Sequence, residues 1–298
     1  MFFKKKILVA THNGSFHPDD VFSVALLSVV FDGKIKVVRT RDEKIISKAG
    51  FVVDIGFKHE PENNKYDHHQ EGGAGKRENG ITYSSFGILW KDYGVKACGS
   101  EKVANIIDEK LVQVIDADDN GFDLCKPIIP NVYPFLLTDA VYSFKPTWKE
   151  ENLNIDEAFL KAVDFAKGVL EREIKKTKDK IEAEIFVEEI YKKSEDKKIM
   201  IIDEGYFPKS LFSNYPEPLF VVCKEKDGKR WRITTINKTD ESFVAKKNFP
   251  ESWWGKSAEE LAKITGVSDA VFCRNGGIFA GTETKEGAVK LAQIAIEE

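Results

Sequence analysis

The sequence predicts an α/β protein, with an amino-terminal domain built on a parallel β-sheet and a smaller carboxyl-terminal α+β domain joined to it by a helical linker. Three apolar runs, at residues 7–10, 35–39 and 51–54, have the length of buried strands. A helix-like apolar stretch at 21–31 lies between the first two runs. Strands that alternate with helices are typical of a parallel sheet. At 298 residues, the chain is long enough for two domains.

The rest of the chain divides into three predicted regions. Residues 1–150 form the first domain, which gains further predicted helices at 82–93 and 101–114. Residues 151–197 form a helical linker, because apolar residues recur there at helical spacing among many charges. Residues 198–298 form the second domain, which begins where the pattern changes to short strands.

The composition restricts the class of protein. A net charge of −4 gives no overall attraction for nucleic acid, so a polyanionic substrate would need local cations or metal ions. The four cysteines form no Cys-x-x-Cys pair, which argues against a zinc ribbon and suits a reducing cytoplasm. The apolar run at 7–10 is too short for a membrane span. We therefore expect a cytoplasmic protein without a membrane partner.

All five histidines lie within the first 69 residues, and acidic residues are close to each of them. They are His12, His17, His59, His68 and His69. Mixed imidazole and carboxylate donors suit Mn²⁺, Mg²⁺, Zn²⁺ or Co²⁺ better than a metal that prefers thiolates. His59 lies in a loop rich in Glu and Asn, which favours an ordinary exposed histidine and leaves its role open.

The first candidate stretch follows the first predicted strand. A polar turn shaped by Gly14 and Pro18 brings His12, His17 and Asp19 towards one point. Ligands of open α/β sheets gather at the carboxyl ends of strands, so we expect these side chains to converge with those that follow other strands. For either histidine alone, an ordinary surface or core position is the alternative.

Two further candidate stretches contain Asp54 and the run from Asp67 to His69. Asp54 closes a buried apolar run, where an acid costs desolvation energy unless it meets a cation or hydrogen-bond donors. Adjacent side chains point to opposite faces of an extended backbone, so His68 and His69 contact different neighbours. Asp67 either bridges two metals or orients one of these histidines. A strand-end cap is the alternative for Asp54.

The fourth candidate stretch is acidic and contains Asp116 and Asp119. These residues are three positions apart and share a face if the segment is helical. The sequence leaves open which of them reaches a metal. For each of them, an ordinary acidic helix end is the alternative.

Ligands from four stretches are more than one ion needs, and they indicate two ions. A pair of divalent metals clamps a phosphate and lowers the pKa of a water for attack on phosphorus. No histidine lies beyond residue 69, which removes most hydrolases of the Ser-His-Asp and Cys-His types. The residues therefore predict a metal-dependent phosphoesterase.

The order of these motifs resembles the DHH phosphoesterase superfamily. Within it, the runs that begin at Thr11 (Thr-His-Asn-Gly-Ser-Phe-His) and at Tyr66 (Tyr-Asp-His-His-Gln) resemble the melanocyte-proliferating-gene (Myg) exonuclease family. The resemblance extends to the runs at 249–253, 271–279 and 284–288, so it covers most of the chain. Each run alone is a weak signal, but the combination is specific.

The resemblance implies a dinuclear metal site, a carboxyl-terminal domain that closes over the substrate, and a 3′-to-5′ exonuclease acting on RNA or short oligonucleotides. It implies Mn²⁺ as the ion, with Mg²⁺, Co²⁺ or Zn²⁺ as alternatives. The implied metal ligands are His12, His17, Asp19, Asp54, Asp67, His68 and one of Asp116 and Asp119. The implied catalytic residues are Asp67, His68 and His69, of which His69 contacts substrate phosphate or supports the metals.

Two departures from the superfamily pattern affect the site. Relatives such as the family II pyrophosphatases have an acid where His17 stands, so the negative charge at one metal is lower here. Many relatives have a histidine in the carboxyl-terminal glycine motif, where this chain offers Arg274, a good fork for phosphate. Together with His69, the implied substrate-binding residues are Arg274, Gly276 and Gly277. A tight turn is the alternative for the two glycines.

Two other functions stay open at this stage. One is a hydrolase of a small phosphate compound, such as pyrophosphate or a cyclic dinucleotide, and the other is a metal-binding protein without enzymatic activity. The long carboxyl-terminal domain favours a larger substrate, namely single-stranded RNA or an oligonucleotide. Trp231, Trp253 and Trp254 would stack bases in a nuclease, but each alone is more typical of a core. The number of chains in the assembly is left open, and a homo-oligomer is compatible with the sequence.

Overall fold

The computed structural model describes residues 6–150, 154–203, 209–240 and 242–298. The chain divides into two units, Met1–Lys178 and Asp179–Glu298. The predicted α/β class is confirmed, because strands and helices alternate along the chain and each unit contains a five-stranded sheet. The predicted domain boundaries at residues 150 and 198 stay predictions.

The sheet of the first unit is parallel except at one edge. Its strands are β1 (Ile7–Thr11), β2 (Ile35–Arg39), β3 (Phe51–Val53), β4 (His59–Glu60) and β5 (Lys65–Tyr66). The strand order is β2-β1-β3-β5-β4, and the edge pair β4–β5 is antiparallel. The three predicted strands are present, whereas β4 and β5 are too short to leave a periodic pattern in the sequence.

Helices of the first unit pack on this sheet and on one another. They are α1 (Pro18–Val30), α2 (Glu43–Ile46), α3 (Ser85–Cys98), α4 (Glu101–Ile107), α5 (Gln113–Asp119) and α6 (Leu137–Tyr142), and the long α7 (Ile155–Lys193) begins in this unit. Helix α1 is buried from Pro18 to Ser28 and packs against α3, as expected for a helix without a polar face. A π-helical turn at Asp108–Val112 joins α4 to α5, so the helix predicted at 101–114 continues to Asp119.

Helix α7 occupies most of the predicted linker as one helix of 39 residues. It belongs to the first unit up to Lys178 and to the second unit from Asp179. Buried Phe159, Ala162 and Val187 belong to its apolar stripe, while its many charges are mostly exposed. In the described part of the chain, no helix has both the length and the apolar character required to cross a membrane.

The second unit has a mixed sheet covered by helices. Its strands are β6 (Ile199–Ile202), β7 (Phe220–Lys224), β8 (Trp231–Thr235), β9 (Ala270–Cys273) and β10 (Phe279–Thr282), and its later helices are α8 (Ala258–Thr265) and α9 (Lys285–Glu297). The strand order is β6-β7-β8-β10-β9, with only the β6–β7 pair parallel. Phe220, Phe249, Trp253 and Leu291 are fully or almost fully buried in its core.

Candidate metal centre

The predicted ligands of the first unit lie at one edge of its sheet. Strands β1, β3 and β5 run parallel, so the residues after their carboxyl ends share that edge. His12 follows β1, Asp54 follows β3, and His68 lies just beyond β5. Asp119 reaches them from the end of α5, where Oδ2 lies 3.3 Å from Nε2 of His68. Four separate stretches of the sequence therefore converge, including the three that follow strands and were expected to meet.

Three groups of side chains have the spacing of a metal site. In each group, one donor atom per residue lies within 4.8 Å of the donor atoms of the others. The groups are His12, His17 and Asp54; Asp54, His68 and His69; and His17, Asp19 and Asp119. Asp54 is shared by the first two groups and His17 by the first and third. The three groups therefore form one continuous cluster.

The carboxylates of this centre are buried without enough hydrogen-bond donors. Neither oxygen of Asp19 has a hydrogen-bond partner among the described residues, although the side chain is fully buried. Oδ2 of Asp20 and Oδ2 of Asp54 lie 3.1 and 3.2 Å from Nε2 of His12, and a single imidazole N–H cannot satisfy both. Buried carboxylates without donors carry a large desolvation penalty. Nitrogen and oxygen donors in this arrangement fit hard or borderline divalent cations.

The mutual repulsion of these acids also changes their protonation. Burial raises the pKa of Asp19 well above its usual range, and the neighbouring Asp54 and Asp119 raise it further. Burial likewise raises the pKa of Asp119 to about 6, although His68 opposes the change. Burial lowers the pKa of His12, but its contacts with Asp20 and Asp54 outweigh this effect and raise it to about 10. The cluster therefore retains protons at a pH at which isolated carboxylates lose them, and divalent cations would replace these protons.

Asp67 is placed to orient His69. Its Oδ1 lies 2.8 Å from Nδ1 of His69 and accepts the backbone N–H of the same residue at 3.1 Å. Its Oδ2 accepts the backbone N–H of Phe57 at 2.6 Å. Asp67 lies outside the three candidate groups, so the geometry favours the orienting role over the bridging or ligand role. The hydrogen bond that His69 donates to Asp67 raises the pKa of His69, whose side chain is half exposed.

The structure distinguishes Asp119 from Asp116. Asp116 is fully buried and forms an ion pair with Arg77, and it also accepts the hydroxyl of Ser84 at 2.6 Å and the backbone N–H of Gly87 at 3.0 Å. These contacts occupy its carboxylate and hold the start of α3. Asp119 belongs to a candidate group and is therefore the residue that the geometry favours as a ligand.

Two contributors to the centre were missed by the sequence analysis. Asp20 accepts the backbone N–H of His17 at 2.9 Å, as an acid at the third position of a helix often does. Arg39 has a buried guanidinium that donates to the backbone carbonyl of Gly14 and to Asp156, both at 2.7 Å, and so fastens the loop that carries the first ligands. The sequence signals were an acid three residues after a helix start and a cation at the end of a strand.

His59 stays apart from the centre. It lies on the short edge strand β4, with its ring 6.3 Å from that of Tyr66. It belongs to none of the candidate groups among the described residues.

The predicted substrate-binding residues Arg274, Gly276 and Gly277 belong to the second unit. Arg274 is exposed, and its guanidinium lies 5.2 Å from the ring centre of Phe279. Gly276 and Gly277 have φ values of +87° and +63°, as a tight turn requires. These observations support the turn as the reason for the two glycines, and a substrate-binding role for the three residues stays a prediction. Trp253 is a core residue, because it is fully buried.

Comparison with known proteins identifies the family. The MYG1_exonuc model, which carries the description "Uncharacterised protein family (UPF0160)", matches residues 8–296. The chain belongs to this family. The MYG1_exonuc match spans both units, so neither unit is an addition to the family pattern.

Relatives in the MYG1_exonuc family resemble the chain over most of its length. The MYG1 protein of Schizosaccharomyces pombe is 27% identical, with 98% of each chain covered. The MYG1 exonuclease of Mus musculus is 26% identical and that of Homo sapiens 27%, with 97% of this chain and 85% and 86% of the relatives covered. A crystal structure of an exopolyphosphatase-related protein from Bacteroides fragilis covers 98% of this chain and 92% of that chain at 12% identity, but its TM-score of 0.21 is too low to support an argument.

The glycine turn of the second unit yields a stability prediction. A Cβ at Gly277 would lie 2.2 Å from Nε1 of Trp254 and 2.8 Å from the carbonyl oxygen of Phe249, whereas a Cβ at Gly276 would meet no atom within 4 Å. We expect Gly277→Ala to lower the free energy of unfolding by about 1–3 kcal/mol through overpacking, in addition to backbone strain. Gly276→Ala should lower the free energy of unfolding by the backbone strain alone. Equal decreases for the two variants, measured by urea unfolding, would contradict the overpacking at Gly277.

The acidic centre yields a prediction on pH. The folded-state pKa of Asp119, at about 6, exceeds the ordinary value of 3.8, so the native state binds more protons than the unfolded state between these limits. In metal-free protein, this group therefore lowers the free energy of unfolding as the pH rises from 4 to 6, by up to about 3 kcal/mol.

Thermal unfolding of wild type and Asp119→Asn at pH 4, 5 and 6 measures this contribution as a difference. The variant cannot titrate at this position, so its stability should fall less over the interval. Addition of Mn²⁺ at pH 7 should raise the melting temperature of wild type more than that of the variant. Parallel pH profiles would show that Asp119 titrates normally in the folded protein.

Proposed function

We propose that this protein is a metal-dependent exonuclease that holds two divalent cations in the centre at the edge of its first sheet. The observation that carries the proposal is the set of buried carboxylate oxygens without donors, above all both oxygens of Asp19. Divalent cations would remove the penalty of burying these acids and would make the same cluster a binding site for phosphate.

The names of the relatives support a nucleic acid as the substrate. The proteins of Mus musculus and Homo sapiens are called MYG1 exonuclease and match nearly the whole chain. Combined with the motif resemblance, this leads us to propose that single-stranded RNA or a short oligonucleotide is shortened from its 3′ end, with Mn²⁺ as the ion and the cytoplasm as the compartment. The net charge of −4 requires that phosphates meet local cations, which the centre would supply when loaded.

The three donor groups supply the proposed ligands of two ions. Their members are His12, His17, Asp19, Asp54, His68, His69 and Asp119, and all but His69, whose Nδ1 lies 2.8 Å from Asp67, would hold the ions. When bound, a pair of divalent ions polarises the scissile phosphate and lowers the pKa of a water. Asp54 and His17 each belong to two of the groups and so link them. Burial lowers the pKa of His17, which favours the neutral imidazole that binds metals.

His69 would contact the substrate directly. When Nδ1–H donates a hydrogen bond to Asp67, Nε2 remains available to a phosphate oxygen. The pair with Asp67 raises the pKa of His69, so the imidazole is more often cationic near neutral pH and attracts the phosphate. The same hydrogen bond fixes the orientation of the ring, which is the positioning role of Asp67.

End-labelled substrates test the proposed reaction. Purified protein is incubated with Mn²⁺ and single-stranded RNA, single-stranded DNA or pyrophosphate. We expect RNA to shorten progressively from the 3′ end. If pyrophosphate is the one substrate cleaved, the protein is a hydrolase of small phosphate compounds and not an exonuclease. An absence of turnover with Mn²⁺, Mg²⁺, Co²⁺ and Zn²⁺ would favour a metal-binding protein without this activity.

Substitution of the fully buried acid tests the metal centre. Asp19→Asn should lower the cleavage rate by more than about 100-fold, since loss of a ligand should exceed the roughly 10–100-fold effect of losing an orienting partner. Asp67→Asn should lie within that smaller range. Elemental analysis should find about two ions per wild-type chain and fewer in Asp19→Asn.

The same variants reveal whether the fold is intact. Asp19→Asn removes a buried charge that has no donor, so the metal-free variant should melt at or above the temperature of metal-free wild type. Asp123→Asn, which changes an exposed acid outside the candidate groups, is the control and should behave as wild type. Full cleavage by Asp19→Asn would remove Asp19 from the proposed centre.

A further inference from the structure

A cavity of about 240 Å³ adjoins the proposed metal centre. Part of its lining consists of residues already placed in or beside the centre, among them His12, His17 and His69. The remainder includes Arg41 and Phe57, which the proposed chemistry does not use. Small-ligand cavities hold about 300–1,000 Å³, so this one is too small for more than a single nucleotide unit.

Phe57 lies in a strained turn that opens onto this cavity. Asp54, Gly56 and Phe57 have φ values of +55°, +99° and +53°, a region that L-residues with a bulky side chain rarely adopt. The turn is held because Asp67 accepts the backbone N–H of Phe57 at 2.6 Å. The Phe57 side chain is nevertheless 67% exposed. Core packing therefore does not explain a phenylalanine here, and strain of this kind is typically retained at functional sites.

The Phe57 ring has the geometry of a stacking platform beside the centre. Its centroid lies 6.4 Å from that of the His69 ring, with an angle of 71° between the two planes. The two rings therefore meet edge to face, and most of the Phe57 ring stays accessible. An exposed aromatic face next to a phosphate-binding histidine suits a nucleobase, because every base can stack on it regardless of sequence.

Arg41 supplies an uncommitted cation to the same cavity. It follows β2, whose carboxyl end lies at the same sheet edge as those of β1 and β3. Its backbone is fixed, since the N–H of Thr40 donates to the carbonyl of Thr11 at 2.8 Å and the N–H of Asp42 to the hydroxyl of Thr40 at 3.0 Å. Within the described ranges, the exposed Arg41 side chain makes no hydrogen bond or ion pair, in contrast to Arg39. A free guanidinium is a fork for phosphate oxygens.

We propose that Arg41 and Phe57 form a subsite for one nucleoside monophosphate unit, in which Phe57 stacks on the base and Arg41 binds the phosphate. The inference rests on the proposed function, because a phosphodiester held at the centre continues into a neighbouring nucleotide. Such a subsite would disfavour pyrophosphate, which offers no base to Phe57. The subsite lies entirely within the first unit.

Ligand fragments separate the two contributions. Binding of 5′-AMP, ribose 5-phosphate and adenosine to the Mn²⁺-loaded protein is measured by calorimetry. Arg41→Gln should weaken 5′-AMP and ribose 5-phosphate about tenfold and leave adenosine unchanged. Phe57→Gly should weaken 5′-AMP and adenosine about tenfold and leave ribose 5-phosphate unchanged. The controls are Lys44→Gln, an exposed cation three residues from Arg41, and Phe243→Gly, an exposed phenylalanine of the second unit.

Thermal unfolding excludes a merely structural role for Phe57. Glycine adopts a φ of +53° without strain, so Phe57→Gly should melt at the same or a higher temperature than wild type while it binds 5′-AMP more weakly. A lower melting temperature together with unchanged affinity for 5′-AMP would identify Phe57 as a structural residue and overturn the subsite.

Failure of the subsite and failure of the proposed function give different results. If wild type degrades RNA and neither variant alters the affinity for 5′-AMP, the subsite is wrong and the exonuclease stands. If wild type degrades no nucleic acid but the two variants show the expected pattern with the three fragments, the nucleotide subsite is supported and the reaction is not. If the Arg41→Gln variant degrades an oligonucleotide with an unchanged kcat and a KM raised about tenfold, the subsite and the proposed function are both supported.

Discussion

The proposed metal centre depends on the burial of carboxylates that the protein itself neutralises only in part. Asp19 and Asp20 are fully inaccessible and Asp54 almost so, and they lie close enough to raise one another's free energy in the charged state. The first turn of α1 carries Asp19 and Asp20, where the helix dipole favours negative charge. The helix dipole stabilises an exposed charge at a helix end by about 0.3–1 kcal/mol. That contribution is too small to offset the desolvation of two buried carboxylates. The proposed centre would therefore need cations from outside the chain to offset the remaining charge.

Two arginines near this edge, Arg39 and Arg77, are committed to the scaffold. Arg77 neutralises Asp116 and so fixes the start of α3, while Arg39 holds the loop carbonyl of Gly14 and the first turn of α7 through Asp156. Both guanidinium groups are nearly inaccessible, with side chains 7% and 2% exposed. They therefore order the ligand-bearing segments without compensating Asp19. This division of charge explains how the loops can be rigid while the carboxylates remain available.

The sequence predicted the parts of the fold and site that depend on local pattern and on sheet topology. The strands at 35–39 and 51–54 were recognised as short apolar runs, and a parallel sheet necessarily brings the residues after its strands to one edge. The choice between Asp116 and Asp119 was not accessible, because it depends on a π-helical turn at Asp108–Val112 and on Arg77, which reaches Asp116 from a distant loop. Asp20 was missed because its contact with His17 can be predicted only when the first residue of α1 is known.

The turn after β3 links the proposed centre to the adjacent cavity. Asp54 and Phe57 both adopt left-handed backbone conformations, and each is held by a contact from another element: Ser85 donates to Asp54 at 2.9 Å, and Phe57 donates to Asp67 at 2.6 Å. Because the two residues share one four-residue turn, the positions of the carboxylate and of the aromatic ring are not independent. Backbone strain of this kind is typically retained at functional sites, and here one short segment presents both the proposed metal ligand Asp54 and the exposed ring of Phe57.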